Sequence, residues 1–468
     1  MKAAELQKNV LNIDWLDSTS AKPSRVQLQS LLDPDDPRDL PFVGSPVKSV
    51  SRFRRAKELP IRKEEMTGIG NFKTGFLIFR SLVGIGILFF PDATQKFGIY
   101  STTIFLPLFS IIILYALDLL LRIAEDLNFI GGNIEDLIIG SGNEQWLTAF
   151  AVINHWMNLS GAVANCIFAG QFLDWASCNY GISTFCKNKY TSSILGLCIS
   201  LPLALFPKME QFAYSSIIAS IVLLVTIFSI IGWFSVDISQ GGADPSTKMF
   251  SLSGIGTFFG VASFAMEGLG LIFPIRSTMQ QKKDFRLIFH LTSAAVITLY
   301  MIFGILGSLA LGNKLPDIVL FYFKKDNPVF YYLAFGYAVG IFLLLPMSIF
   351  PVALSFMESR FGNIILGSES FTQEWKSTLV RCFLCIFCFL FAMIGLNILD
   401  FISITGSLFN SFIAFVFPVI FYLNYFGQQG KVTRIERYFQ MSITFVTIVL
   451  TAACLYEQIK PYVSKYFK

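Results

Sequence analysis

Two short strings carry most of the chemistry that this sequence can offer. The first is Gly84-Ile85-Gly86-Ile87-Leu88-Phe89-Phe90-Pro91, and the second is Glu267-Gly268-Leu269-Gly270-Leu271-Ile272-Phe273-Pro274. Each sets Gly-x-Gly ahead of an apolar run and a proline. Glycine permits backbone geometry that unwinds a helix, and its missing side chain leaves N–H and C=O groups uncovered. Lipid cannot satisfy such groups, so an unwound stretch at membrane depth must line protein or a wet cavity. The half-helix that resumes after the break offers its N-terminus to an anion such as a carboxylate, while the freed carbonyls accept from an ammonium. A zwitterion presents both groups. One such segment alone reads as close packing through small residues. A matched pair points to a site.

Three further features belong with these strings. Glu267 puts a carboxyl at membrane depth, a costly placement unless the group is paired, hydrated or protonated. It is read either as a proton-exchanging group or as a hydrogen-bond hub bracing the broken helix. Asn154, Asn158, Gly161 and Asn165 recur at helical spacing, so they form a polar stripe that should face a cavity or another helix. His155, beside the stripe, is read as the histidine of the spans, in a packing role with proton relay as the alternative. Arg80, one turn before Gly84, either snorkels to the interface or joins a gate with an acidic partner.

Such residues need elements that hold them inside a bilayer, and the composition supplies them. Of 468 residues, 54% are hydrophobic and 15% aromatic, with 50 Phe. Only 14% are charged, against about 25% in soluble domains. A collagen-like, disulfide-framework or disordered chain is excluded. The net charge of +5 gives no support to nucleic-acid binding. A spanning helix needs about 20 mostly apolar residues. Eleven stretches qualify, near 72–97, 101–123, 146–176, 191–207, 211–236, 254–278, 284–311, 328–357, 379–397, 400–426 and 437–457. Pro346 and Pro351 make 328–357 one kinked helix. The expected fold is an all-α polytopic membrane protein. The two Gly/Pro-interrupted spans each open a group of five, which is the signature of an inverted repeat with one helix added.

The chain divides into a head of residues 1–70, a membrane domain of 71–457 and a short tail of 458–468. The head carries the acidic run Asp33-Pro34-Asp35-Asp36-Pro37 and lacks the pattern of a signal or transit peptide, so it reads as a mostly disordered cytosolic segment. Its basic end, Arg52, Arg54, Arg55, Lys57, Arg62 and Lys63, would attract anionic lipid. Lys and Arg favour the head's side of the membrane by about two to one, which places the head inside and the C-terminus outside. Cys178 and Cys186 share one short non-cytosolic loop, where a disulfide is chemically possible. Cys382, Cys385 and Cys388 read as packing residues. The cysteines show no metal pattern, and no cofactor motif, P-loop, zincin string or Ser-His-Asp arrangement is present, so enzymatic catalysis has no support.

At this level of detail the sequence resembles the amino acid/auxin permease family, in particular its proton-coupled and vacuolar branches. GIGILFFP is similar to the family's first-span element, and Phe258-Phe259-Gly260 through Pro274 and on to Phe285 is similar to its sixth span. Leu345 to Val352, Leu399 to Ser407, Phe417-Pro418 and the loop Gly132 to Gly140 extend the resemblance over about 70–457. It implies the leucine-transporter-type fold, five plus five inverted spans and one more. It also implies transport of a small neutral amino acid, usually with protons, in a vacuolar, lysosomal or plasma membrane. Carried over residue by residue, the substrate site would comprise Val83, Gly84, Ile85, Gly86, Ile87, Asn165, Phe264, Gly268 and Ser348, with Glu267 coupling or bracing. The sequence departs from the family at Leu77 (a His in some members), Ile85 (commonly Thr), Asn165 (usually Tyr) and Ser348 (usually Gln). A transport-inactive homologue, acting as a sensor or as a subunit of a membrane assembly, is the alternative.

Overall fold

The structure, a computed structural model, describes residues 69–129, 134–180, 189–205, 213–266, 269–323, 328–358, 373–395 and 397–466. The expectation of a disordered head therefore lies outside the described residues. Among these residues the regular structure is helical, and the β contact is a single isolated bridge between Ile69 and Met279.

The first interrupted string folds as its residue types demand. Helix α1 (Asn71–Leu82) stops at Val83, whose backbone is extended. A 3₁₀ turn over Ile85–Phe89 follows, and α2 (Phe90–Phe97) begins with Pro91 in its first turn. Proline is tolerated there because that N–H has no partner within the helix anyway. The two parts are bent by 49°. In the second string α8 (Ile255–Ala265) ends at Met266 and α9 runs over Leu269–Thr278, with Glu267 and Gly268 between them outside the described residues.

Between and after them run α3 (Ile99–Asp126), the short α4 (Ile134–Gly140), α5 (Glu144–Tyr180), α6 (Lys189–Ala204) and α7 (Ala213–Gly241). Then come α10 (Phe285–Leu311), α11 (Pro328–Glu358), α12 (Gln373–Ala392), α13 (Ile398–Thr405), α14 (Phe417–Gln428) and α15 (Arg434–Tyr466). Helix α11 runs unbroken past Pro346 and Pro351. Two π-helical stretches, Gly406–Asn410 and Phe412–Val416, interrupt the tenth expected interval. They follow the place where a side chain on Gly406 would strike the Gly260 carbonyl, so α8 and this segment touch backbone to backbone. Among the described residues six helices are long and apolar enough to cross a membrane, or seven with the bent first pair. Their outward faces are apolar, as at Ile104, Leu108, Ile111, Phe445 and Val449. This is an integral, multi-pass membrane protein.

The end of the bundle remote from the α1 N-terminus is fastened by polar contacts. Gln95 donates to the Ser246 carbonyl at 3.0 Å and to Asn313 at 3.1 Å, and it accepts from Ser308 at 2.7 Å. Asp244 accepts from the N–H and hydroxyl of Ser246 and pairs with Lys314 at 3.0 Å. These donors hold the Asp244 carboxyl down at about 2. A depressed carboxyl contributes fully above its ordinary range, and that contribution is lost only as pH falls toward its folded value. The fastening should therefore persist in an acidic compartment. Hydrogen exchange of residues 244–250, corrected for intrinsic rates, is expected to be equal at pH 7 and pH 5, and faster at both in Asp244→Asn.

Candidate functional site

The break in the first string opens onto a cavity of about 510 Å³. Its walls come from α1, the first turn after the break, α5, α7, α8, α9 and α11. Val83, Gly84, Ile85 and Gly86 line it together with Phe264, Asn165 and Ser348. Phe76, Leu77, Phe79, Arg80 and Ser81 line it as well, so it extends from the break toward the start of α1. Beyond the break it is stopped, because Ile87, Leu88, Phe89 and Phe90 are fully buried. Phe90 stacks on Tyr300 with centroids 4.6 Å apart and meets Phe258 edge-on at 5.9 Å. An aromatic cluster and the polar fastening thus lie beyond the break, while the lining continues along α1 to Phe76.

The two glycines of the first string have different duties. Gly84 is exposed between buried Val83 and Ile85, and a side chain there would meet nothing within 4 Å. Its φ of −131° is one that any residue adopts. Gly84 therefore contributes open space and bare backbone to the cavity. Gly86 instead faces α8, where a Cβ would lie 2.8 Å from the Ala265 Cβ and 2.9 Å from its Cα. Its role is to let the two broken helices touch.

Tyr300 on α10 joins the breaks. Its hydroxyl donates to the Leu82 carbonyl at 2.7 Å and lies 3.5 Å from the Ala265 carbonyl. Leu82 and Ala265 are the last residues of α1 and α8, where carbonyls lose their helical partners. The fully buried Tyr300 supplies the proton that water cannot. Tyr300→Phe should leave a buried carbonyl unpaired and destabilise the protein by about 1–3 kcal/mol, measurable by thermal unfolding in detergent. The sequence held a signal for this residue, a hydroxyl in an otherwise apolar stretch of a span, but nothing that aimed it at the breaks.

On the opposite wall Asn165 donates from Nδ2 to Ser348 Oγ at 3.2 Å. Two of the four departures from the resembled pattern thus meet each other. Asn165 Oδ1 is buried and has no hydrogen-bond partner. Asn158 and Gly161 line the cavity, as the stripe predicted, whereas Asn154 lies outside the lining and accepts from Asn158 within its own helix. His155 makes a short contact with the Ala151 carbonyl one turn back. It is not the sole histidine of these helices, since His290 lies in α10, 3.9 Å from Asp118. Ile87 sits behind the break and does not line the cavity.

Glu267 and Gly268 lie outside the described residues, immediately after Met266. Cys178 is disulfide-bonded, Cys186 lies outside the described residues, and the other six cysteines are free. No cluster that could hold a metal occurs among the described residues.

Residues 67–460 match the family described as transmembrane amino acid transporter protein. The chain is 24% identical over 340 residues to Vacuolar amino acid transporter 3 of Schizosaccharomyces pombe, covering 72% of this chain and 50% of that one. It is 23% identical over 417 residues to Vacuolar amino acid transporter 4 of Saccharomyces cerevisiae, covering 80% and 55%. With Amino acid transporter AVT3C of Arabidopsis thaliana it shares 26% over 383 residues, covering 76% and 84%. The chain spans about half the length of the fungal relatives. The match over the whole membrane region agrees with the motifs at both breaks, and the chain belongs to the transmembrane amino acid transporter family, the amino acid/auxin permeases.

Proposed function

We propose that this protein is a secondary active transporter of small neutral amino acids, moved by alternating access around the two broken helices. The observation that carries this reading is the cavity at the first break, where Val83 to Gly86 meet Phe264 of the second broken helix. Bare backbone at Gly84 and the polar Asn165–Ser348 pair suit the polar ends of a zwitterion. Closure at the far end and access from the α1 end fit one extreme of an alternating cycle. With the head in the cytosol, the cavity would be open to the cytosol.

Five-plus-five inverted repeats with one added helix would relate the two broken helices as equivalent elements. The names of the fungal relatives favour the vacuolar membrane. Glu267, at the second break, is the candidate proton-coupling or bracing carboxyl, and protons are the proposed coupling ion. Uptake into proteoliposomes with and without an imposed acid gradient tests this, comparing wild type with Glu267→Gln. Gradient-driven uptake that the variant loses would support coupling through Glu267. Uptake indifferent to the gradient would remove protons from the account. A folded protein that moves no amino acid would be a sensor or structural subunit.

A further inference from the structure

Arg80 is the one charged side chain among the described residues lining the cavity. It is partly buried, and among the described residues no carboxylate or carbonyl satisfies it. Three other arginines of this end of the bundle are matched. Arg122 pairs with Asp118 at 3.1 Å, and Arg286 pairs with Asp118 at 2.8 Å and Glu125 at 3.2 Å. Arg276 donates to the Phe129 carbonyl at 3.0 Å. A guanidinium offers five donors in a planar fork that fits a carboxylate bidentately, and a partly buried one without a protein partner is suited to an anionic ligand. Among the described residues the remaining lining is uncharged: Ser81, Asn158, Asn165, Ser220, Ser348, glycines and apolar side chains. Among the described residues Arg80 is the one charge facing this cavity, and a cation there attracts anions and repels cations.

We infer that Arg80 is the charge-selecting residue of this cavity: it takes the carboxylate of the transported molecule on the α1 side and rejects substrates of net positive charge. This rests on the proposed transport through the same cavity. The full-length protein accepts zwitterionic and acidic amino acids and discriminates against lysine and arginine.

The test uses purified full-length protein in proteoliposomes, with labelled leucine as tracer and unlabelled leucine, glutamate, lysine and isoamylamine as competitors. Thermal stabilisation by the same four compounds is measured in parallel. Wild type is expected to be competed and stabilised by leucine and glutamate, and not by lysine or the carboxylate-free amine. Arg80→Gln should raise the leucine KM by about 10- to 100-fold, the loss of one charge-assisted contact, with kcat nearly kept. Arg80→Lys should fall between, and Arg80→Glu should let lysine compete. Leucine transport with the same KM and the same competitor order in Arg80→Gln and Arg80→Glu would overturn the inference alone, leaving Arg80 as an interfacial anchor. Stabilisation without transport would overturn the transport reading while the competitor order still judged Arg80. A folded wild type that neither moves nor is stabilised by any of the four would overturn both.

Discussion

Gly86→Val is expected to abolish transport and to lower the yield of folded protein. The reason is local and steric. A Cβ on residue 86 would stand 2.8 Å from the Ala265 Cβ and 2.9 Å from the Ala265 Cα, so relief requires the backbones of the two broken helices to separate. Overpacking of this kind costs about 1–3 kcal/mol in a well-packed interior, and valine adds two further methyls. Separation would also stretch the Tyr300 contacts to Leu82 and Ala265, which span the same junction. Size-exclusion profiles in detergent and uptake in proteoliposomes give the two readouts, and both should fall. Gly86→Ala should show the same trend with a smaller loss of folded protein.

Gly84→Leu, two residues away, is expected to give the opposite dissociation of the readouts. The backbone at 84 has a negative φ, and the direction of its Cβ is empty to 4 Å. The folded state should therefore tolerate the side chain, with stability within about 0.5 kcal/mol of wild type, as for substitutions that strain nothing. The leucine would occupy the cavity beside Val83 and Ile85 and cover the backbone proposed to hold the substrate. Uptake should fall to about a hundredth or less, a barrier or affinity change of roughly 3 kcal/mol. Gly84→Ala should discriminate by size, keeping alanine uptake while reducing that of leucine.

The helical architecture was largely legible in the sequence because apolar length is a strong signal and a bilayer admits few alternatives. Helix lies in every interval where a span is expected, and the first break falls at Val83 and Gly84 as Gly-x-Gly and Pro91 foretell. The candidate site was legible in part. Gly84, Asn165 and Ser348 converge on one cavity, although Asn165 and Ser348 are 183 residues apart. The division of labour between Gly84 and Gly86 was not legible, because it depends on what stands opposite each one. The same holds for Tyr300, whose task comes from two carbonyls in helices remote in sequence. Ile87 shares the motif with its neighbours yet turns away from the cavity, since a 3₁₀ turn sends successive side chains about 120° apart. The π-helical stretches after Thr405 also escaped the pattern, as did the close approach of Gly260 to Gly406 where they begin.

The central claim is that the cavity at the first break is where amino acids pass. The most direct measurement is leucine uptake by proteoliposomes holding either wild type or Gly84→Leu, with both proteins matched for monodispersity and thermal stability. The account predicts uptake by wild type and almost none by the variant at equal stability. Equal uptake by both would contradict it, because a filled cavity would then carry no traffic.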